Sequence, residues 1–299
     1  MINPESELAH RFWEEGKVPD CPIIDFHAHI GEWRGIYLPR GSGEGMLRTM
    51  DQAGVRLAIF CGHEDLFAPS LKNAYNIERV RRHPDRFRAY LAVNPNHSDP
   101  EEDIALFRRH REVFVGFKTL PSYFGYPLTH DRYRPYWEFA QEENLLVLCH
   151  TWEGSPVGGP EEVEKFMRQY PGVTFIAGHS LHRDWDAAAR MAREFPNLYL
   201  DLCAVMDDRG VLELFVERAG SHKILFGTDL PWFDPHYYIG AILSADISDE
   251  AMRDIFYRNG ERILSRFRWF PEIWGAVSYT HLRAHETRHE LVCRLLLEK

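Results

Sequence analysis

The sequence predicts an α/β protein in which eight parallel strands close into a (β/α)8 barrel. Eight short apolar segments alternate along the chain with segments that favour helices. The apolar segments are hydrophobic over nearly their whole length, which is typical of parallel strands covered on both faces. Eight strand–helix units close most naturally into a barrel of roughly 250 residues. The competing doubly wound sheet would need a Gly-x-Gly-x-x-Gly turn after the first strand, and the sequence has none there.

The predicted elements follow one another in chain order. The strands are predicted at 22–30, 56–62, 87–95, 113–119, 145–151, 173–179, 198–203 and 223–229. Helices are predicted at 46–53, 70–82, 133–143, 236–244, 249–257 and 259–267. Two further helices should begin at Pro100 and Pro160, because acidic residues follow each proline in the first turn. A long glycine-rich loop is expected from Gly31 to Gly45.

Composition restricts the class of protein. The chain has 299 residues, is 44% hydrophobic and carries a formal net charge of −10, which argues against a nucleic-acid surface. The five cysteines form no Cys-x-x-Cys pair and predict buried thiols in a reducing compartment. No signal peptide or membrane span is recognised, so we expect a cytoplasmic protein without a membrane partner. A homo-oligomer is left open.

The C-terminal segment is predicted to be foreign to the fold. Residues 277–299 resemble the translation of a sequencing adapter and the tails fused to truncated reading frames. His281, His285 and His289 would line one face of a helix there, but we do not interpret them as a metal site. A single barrel domain is therefore predicted over residues 1–276.

Two histidines end the first predicted strand. Side chains alternate across a strand, so His27 and His29 share a face and lie about 7 Å apart along the chain. Such a pair can bind one metal ion, with Asp25 below it as a candidate partner of the imidazoles. Polar residues also end later strands, and the carboxyl ends of barrel strands meet at one mouth. These residues are Lys118, His150, His179 and Asp229. Together they predict a divalent-metal site at the mouth.

The motifs that hold these residues resemble the amidohydrolase superfamily, in particular the amidohydrolase-related branch of hydrolases, lactonases, hydratases and aromatic-acid decarboxylases. The resemblance covers roughly residues 20–268. It rests on Ile24-Asp-Phe-His-Ala-His29, Val115-Gly-Phe-Lys118, Leu148-Cys-His-Thr151, Ile176-Ala-Gly-His179 and Ile224-Leu-Phe-Gly-Thr-Asp-Leu-Pro231.

The resemblance implies a role for each residue of the set. His27, His29 and Asp229 would bind a divalent ion, His150 would complete that sphere or help to bind a second ion, and His179 would be a ligand or an acid/base group. Zinc is the first choice and manganese the second. Lys118 matches a position that some members carboxylate to bridge two metals. We favour one ion, with Lys118 directed at a substrate carboxylate, and keep two ions as the alternative.

The expected function is hydrolysis of a small ester, lactone or amide by metal-activated water. Asp229 would carry the proton from the water to the leaving group, and His179 would stabilise the oxyanion if it is not a ligand. The first alternative is a metal-dependent decarboxylase of an aromatic or unsaturated carboxylic acid, and the second is a non-catalytic ligand-binding barrel. Aromatic residues in the mouth loops suit a small carboxylate substrate, and Arg183 and Trp152 are the residues expected to touch it.

Overall fold

The computed structural model describes residues 5–274, except residues 19, 34 and 70–72. Eight parallel strands form one sheet, in which each strand pairs with the next in chain order. The strands are β1 Ile23–Ile30, β2 Val55–Gly62, β3 Phe87–Ala92, β4 Phe114–Thr119, β5 Leu146–Trp152, β6 Thr174–His182, β7 Leu198–Asp201 and β8 Ile224–Leu225. The sheet curls into a nearly closed barrel, and the predicted (β/α)8 fold is confirmed.

Helices alternate with the strands and cover the barrel. They span Glu7–Glu15, Gly43–Ala53, His63–Phe67, Tyr75–Arg82, Pro100–Arg109, Pro121–Phe124, Arg134–Glu142, Pro160–Gln169, Trp185–Glu194, Val211–Ala219, Pro235–Leu243, Asp249–Arg253 and Asn259–Leu264. A 3-10 turn at Ser221–Lys223 precedes β8, and a π-helical turn at Asp254–Arg258 joins the last two helices. The sequence analysis did not place the helices Trp185–Glu194 and Val211–Ala219.

The core has an outer and an inner layer. The outer layer lies between strands and helices and includes Phe117 and Trp137, whereas the inner layer fills the barrel and includes Ile24, Phe26 and Tyr90. Four of the predicted buried thiols are confirmed and are free, namely Cys21, Cys61, Cys149 and Cys203, while Cys293 lies outside the described residues. Within those residues, no helix is long and apolar enough to cross a membrane.

The barrel closes between β8 and β1 through irregular backbone. The eighth strand is regular only at Ile224–Leu225, shorter than the predicted 223–229. Beyond it the N–H of Asp229 donates to the carbonyl of His27 (2.7 Å), and the N–H of His29 donates to the carbonyl of Leu230 (2.6 Å). Asp229 itself lies beyond the regular ladder and has a left-handed backbone, with φ of 62°. The closure therefore brings Asp229 beside the β1 histidines.

The predicted tail, residues 277–299, lies outside the described residues, so its foreign origin and the limits of the single domain stay predictions.

Candidate metal centre

A bulge in β1 turns both histidines into the barrel. Asp25 pairs with Ala58 of β2 and Ala28 with Phe60, so three steps along β1 match two along β2. The extra residue resets the alternation of side chains, as bulges do. Phe26 lies in the inner layer, Ala28 lies in the outer layer, and His27 and His29 reach Lys118 of β4, a contact that only the barrel interior allows.

The hydrogen bonds of the two histidines fix their tautomers. His27 Nδ1 lies 2.6 Å from a carboxylate oxygen of Asp201, and His29 Nδ1 lies 3.0 Å from the carbonyl oxygen of Cys61. Both partners can only accept, so each Nδ1 carries the proton and donates it. Burial, helped by the charge of Lys118, lowers the pKa of both imidazoles and keeps them neutral. Their Nε2 atoms consequently carry lone pairs.

Asp229 joins these lone pairs to form a group that requires a cation. Its Oδ1 lies 3.2 Å from His27 Nε2 and 3.1 Å from His29 Nε2, and it has no hydrogen-bond partner among the described residues. Burial raises the pKa of Asp229, but the neighbouring imidazoles outweigh it and hold the pKa well below the ordinary value, so the carboxylate is ionised. Two imidazole nitrogens and a carboxylate oxygen thus converge, and the donor that reaches the two nitrogens is Lys118 Nζ. Two imidazole nitrogens and a carboxylate oxygen are also a ligand set that zinc or manganese accepts.

Lys118 reaches the same group from across the barrel. Its Nζ makes a close contact with His27 Nε2 and lies 3.5 Å from His29 Nε2, and the residue is only 1% exposed. Burial lowers the pKa of the amine, while the charge of Asp229 raises it in part. The lysine therefore competes with any metal ion for the imidazole nitrogens while it is protonated, and leaves them free when it is neutral.

Asp201 is a residue of this site that the sequence analysis missed. It lies at the end of β7 and is fully buried; besides His27 Nδ1, its carboxylate accepts the backbone N–H of His179 (3.2 Å) and of Cys203 (3.2 Å). Burial raises the pKa of Asp201 to about 6, so it is mostly ionised at neutral pH. A carboxylate that orients the free nitrogen of a metal-binding histidine is a common feature of metal sites. An acidic residue ending an apolar strand was the available signal.

Asp25 does not have the role that we expected from the sequence. Its carboxylate accepts the backbone N–H of His27 (3.0 Å) and of Thr228 (3.3 Å), and bonds the Thr228 hydroxyl (2.5 Å), rather than an imidazole ring. It therefore braces the closure between β1 and β8. Because the bulge moves His27 relative to Asp25, the imidazole meets Asp201 instead.

A second group of potential ligands is already satisfied. His27, His179, Asp201 and Cys203 each bring a ligand atom within 4.8 Å of the others. However, both Asp201 oxygens accept hydrogen bonds, and His179 Nδ1 lies 3.3 Å from the carbonyl oxygen of Cys203, to which it donates. We interpret this group as support for the first one.

His179 sits on a left-handed segment at the end of β6. His179, Ser180 and Leu181 have φ of 67°, 49° and 56°. The side chain of Thr151 on β5 holds this segment, since its hydroxyl donates to the Gly178 carbonyl (2.7 Å) and accepts the N–H of Leu181 (2.9 Å). The His179 ring lies 5.0 Å from the His27 ring, and burial lowers its pKa to about 4.

The remaining predicted residues form one wall of the mouth. The ring of His150 lies 4.5 Å from that of His179, and His150 belongs to neither ligand group among the described residues. Trp152 stacks on His150 (5.6 Å) and on His182 (3.8 Å). Arg183 follows with an exposed side chain and φ of 74°. The roles predicted for these three residues stay predictions.

The family of the chain follows from a comparison with known proteins. A family model described as Amidohydrolase matches residues 24–266. The chain belongs to the amidohydrolase family. The curated proteins include no match to it.

Solved structures share its fold at low sequence identity. An uncharacterised TIM-barrel protein from Bordetella bronchiseptica is 19% identical with a TM-score of 0.66, over 81% of this chain and 98% of that one. A dihydroxybenzoic acid decarboxylase from Polaromonas sp. JS666, with bound manganese and 2-nitroresorcinol, is 18% identical with a TM-score of 0.63, over 82% and 98%. A probable 2-pyrone-4,6-dicarboxylic acid hydrolase from Acinetobacter baumannii, with citric acid bound, is 14% identical with a TM-score of 0.60, over 82% and 99%. Proteins with this fold therefore include a decarboxylase and a probable hydrolase.

Proposed function

We propose that this amidohydrolase is a metal-dependent hydrolase of a small ester, lactone or amide, with one divalent ion held by His27, His29 and Asp229. One observation carries the proposal, namely the convergence of two imidazole lone pairs and an ionised carboxylate oxygen at 3.1–3.2 Å. Like partial charges at such distances repel each other unless a cation lies among them, a place that the ion would share with or take from the protonated Lys118 amine. Zinc is our first choice of ion and manganese the second, and the manganese in a decarboxylase of the same fold keeps the second choice open.

The chain's own groups have separate tasks in this proposal. A bound divalent ion supplies a water of lowered pKa and polarises a carbonyl. Asp229 accepts the proton of the attacking water and passes it to the leaving group. His179 donates from Nδ1 to the Cys203 carbonyl, so it would stabilise the developing charge on the reacting carbonyl once its Nε2 has taken up a second proton. Asp201 keeps the His27 lone pair aimed into the site.

The role of Lys118 differs between a site with one ion and a site with two. With a single ion, we expect the amine to turn from the imidazoles toward a carboxylate of the substrate. With two ions, a carboxylated Lys118 would bridge them, and His150 and His179, whose rings lie 4.5 Å apart, would hold the second. The close contact of Lys118 Nζ with His27 Nε2 is compatible with both arrangements.

The mouth favours a planar carboxylate as substrate. Half-buried Trp33 and Trp232 line one side, Trp152 lines another, and Arg183 adds an exposed cation. Aromatic faces stack on conjugated or aromatic ligands, and a guanidinium pairs with a carboxylate.

The test counts ions and follows turnover in the same preparations. Mass spectrometry of purified protein should give about one zinc or manganese per chain, and His27→Ala should lose it. Asp229→Asn keeps an oxygen ligand but removes the proton acceptor, so turnover should fall by about two to four orders of magnitude while metal content falls less. A wild-type protein without a stoichiometric ion, or an Asp229→Asn variant with normal turnover, would refute the proposal. Two ions in the wild type and one in Lys118→Ala would establish the bridged arrangement instead.

A decarboxylase is the second candidate, because a 2,6-dihydroxybenzoate decarboxylase complexed with its substrate has the same fold at 16% identity. His179, once protonated at Nε2, would then donate the proton that replaces carbon dioxide. Release of carbon dioxide from dihydroxybenzoates, measured beside ring opening of lactones by the same protein, distinguishes the two reactions.

A further inference from the structure

His63 occupies an unusual position beside the candidate metal centre. It is the first residue of the helix that follows β2, and it is only 2% exposed. Its ring stacks on that of His29, with centroids 4.7 Å apart and planes 10° from parallel. One face of the His29 imidazole is therefore covered by a second imidazole, which was not singled out from the sequence.

Both nitrogens of His63 are engaged, and each has one assigned role. Nδ1 lies 3.0 Å from the carbonyl oxygen of Gly31, which can only accept, so Nδ1 donates. Nε2 accepts the indole N–H of Trp232 at 2.7 Å. Because neither nitrogen has a free lone pair, His63 is not a metal ligand in this arrangement.

The two hydrogen bonds connect three parts of the mouth. Gly31 follows β1, His63 follows β2, and Trp232 lies three residues after Asp229 in the loop beyond β8. The Gly31–His63–Trp232 chain, here called the clasp, thus spans the end of β1, which carries His29. It adds a side-chain link where regular β8 pairing has ended and Asp229 must be held by other contacts.

Trp33 covers the clasp from outside. Its ring meets those of His63 and Trp232 edge-on, with centroids 5.3 and 5.5 Å away. Phe67 also packs against Trp33, and their ring centroids lie 5.2 Å apart. A hydrogen bond shielded from water in this way is stronger than an exposed one.

We infer that His63 and Trp232 are positioning residues, which set the orientation of His29 and of the Asp229 loop and thereby the affinity and geometry of the metal centre. The inference rests on the proposed function, because it requires that His29 and Asp229 bind an ion. The physical reason is that a ring held on its face by His63 and at Nδ1 by the Cys61 carbonyl has a single orientation for its free nitrogen.

The test uses cobalt(II) as the probe, with binding and visible spectrum as readouts that need no substrate. Trp232→Phe keeps the ring but removes the N–H, and its cobalt Kd should rise about tenfold, the lower end of the usual effect of an outer-shell partner. The ligand-field spectrum should change as well, which a general loss of stability does not cause. The matched control is Trp185→Phe, since Trp185 is also half-buried and donates its N–H to Asp208 (3.0 Å) away from the ligand group. It should bind cobalt like the wild type.

A double variant tests whether His63 and Trp232 act through the hydrogen bond that joins them. His63→Phe retains a flat ring against His29 but loses both hydrogen bonds, so adding Trp232→Phe to it should weaken cobalt binding no further. Equal Kd and spectrum for Trp232→Phe and Trp185→Phe would overturn the inference while leaving the proposed function intact. A wild-type protein that binds no divalent ion would overturn both.

Discussion

Replacement of Asp201 by asparagine separates metal binding from folding. The Asp201 carboxylate accepts three hydrogen bonds, from His27 Nδ1 and from the backbone N–H groups of His179 and Cys203. Asparagine has the same shape but only one oxygen. If that oxygen faces His27 and His179, the new NH2 group points at the N–H of Cys203. One buried donor is then left without an acceptor, and the bond to His27 loses its charge.

The expected magnitude follows from these contacts. A charge-assisted hydrogen bond is about twice as strong as a neutral one, so the Nδ1 proton of His27 is held less firmly and Nε2 becomes a poorer ligand. Metal affinity should fall by about 10- to 100-fold, which corresponds to about 1.4–2.7 kcal/mol. The free energy of unfolding should fall less than the metal affinity, because the change also removes a buried charge. The cost of burying that charge is the reason that the pKa of Asp201 is raised to about 6.

The assay is competition for zinc with a coloured chelator at pH 7, with thermal melts of the metal-free proteins beside it. Asp25→Asn is the matched control. Burial raises the pKa of Asp25 to about 8, so asparagine resembles the protonated form already present at pH 7 and should leave zinc affinity unchanged. The reasoning is wrong if Asp201→Asn binds zinc as tightly as the wild type, or if Asp25→Asn weakens binding equally.

Three further predictions concern folding. Burial raises the pKa of Asp103 to about 6 from 3.8, so the folded state binds an extra proton between these values and the unfolding free energy should fall by up to about 3 kcal/mol as the pH rises through them. Urea unfolding at pH 4 and 7 should show a smaller loss of unfolding free energy between the two pH values for Asp103→Asn than for the wild type. Gly227→Ala would place a Cβ against the Asp201 carboxylate and 2.9 Å from His27 Cβ, and should lower both melting temperature and metal content, whereas Gly240→Ala, whose Cβ meets only Phe12 at 3.8 Å, should not. Deleting residues 277–299 should shift the melting temperature by less than about 5 °C.

The fold was predictable because its signal is local and repeated. Each strand is a short apolar run, and a parallel barrel requires little more than eight of them in alternation with helices. The errors lie where regular structure stops. The eighth strand is regular only to Leu225, and Asp229, which the prediction placed inside it, has φ of 62°, an angle to which a propensity argument has no access.

The candidate site was predictable only in part. Strand alternation correctly placed His27 and His29 on one face, but it also implied that Phe26 would face the other way. The β1 bulge puts Phe26 in the inner layer as well, and it follows from the register with β2 rather than from the residues of β1. Asp201 and His63 were missed for a related reason, since their partners come from other strands and loops and no spacing in the sequence links them.

The acceptor group of His27, His29 and Asp229 differs from the polar groups elsewhere in the described chain. Elsewhere in the described chain the local choices agree with the fold: Asp25 has backbone donors, and Asp103 has the Tyr136 hydroxyl at 2.7 Å. Other buried polar atoms without hydrogen-bond partners occur among the described residues, namely Asp65 Oδ1, Arg88 Nε, His182 Nδ1 and Trp269 Nε1, but none of them belongs to a group of ligand atoms that could hold a metal ion. Asp229 Oδ1 instead lies beside two imidazole nitrogens, and the donor that contacts those nitrogens, Lys118 Nζ, makes no hydrogen bond to Oδ1. A local conflict of this kind, built from the end of β1 and the segment after β8, is the one that the proposed divalent ion would resolve.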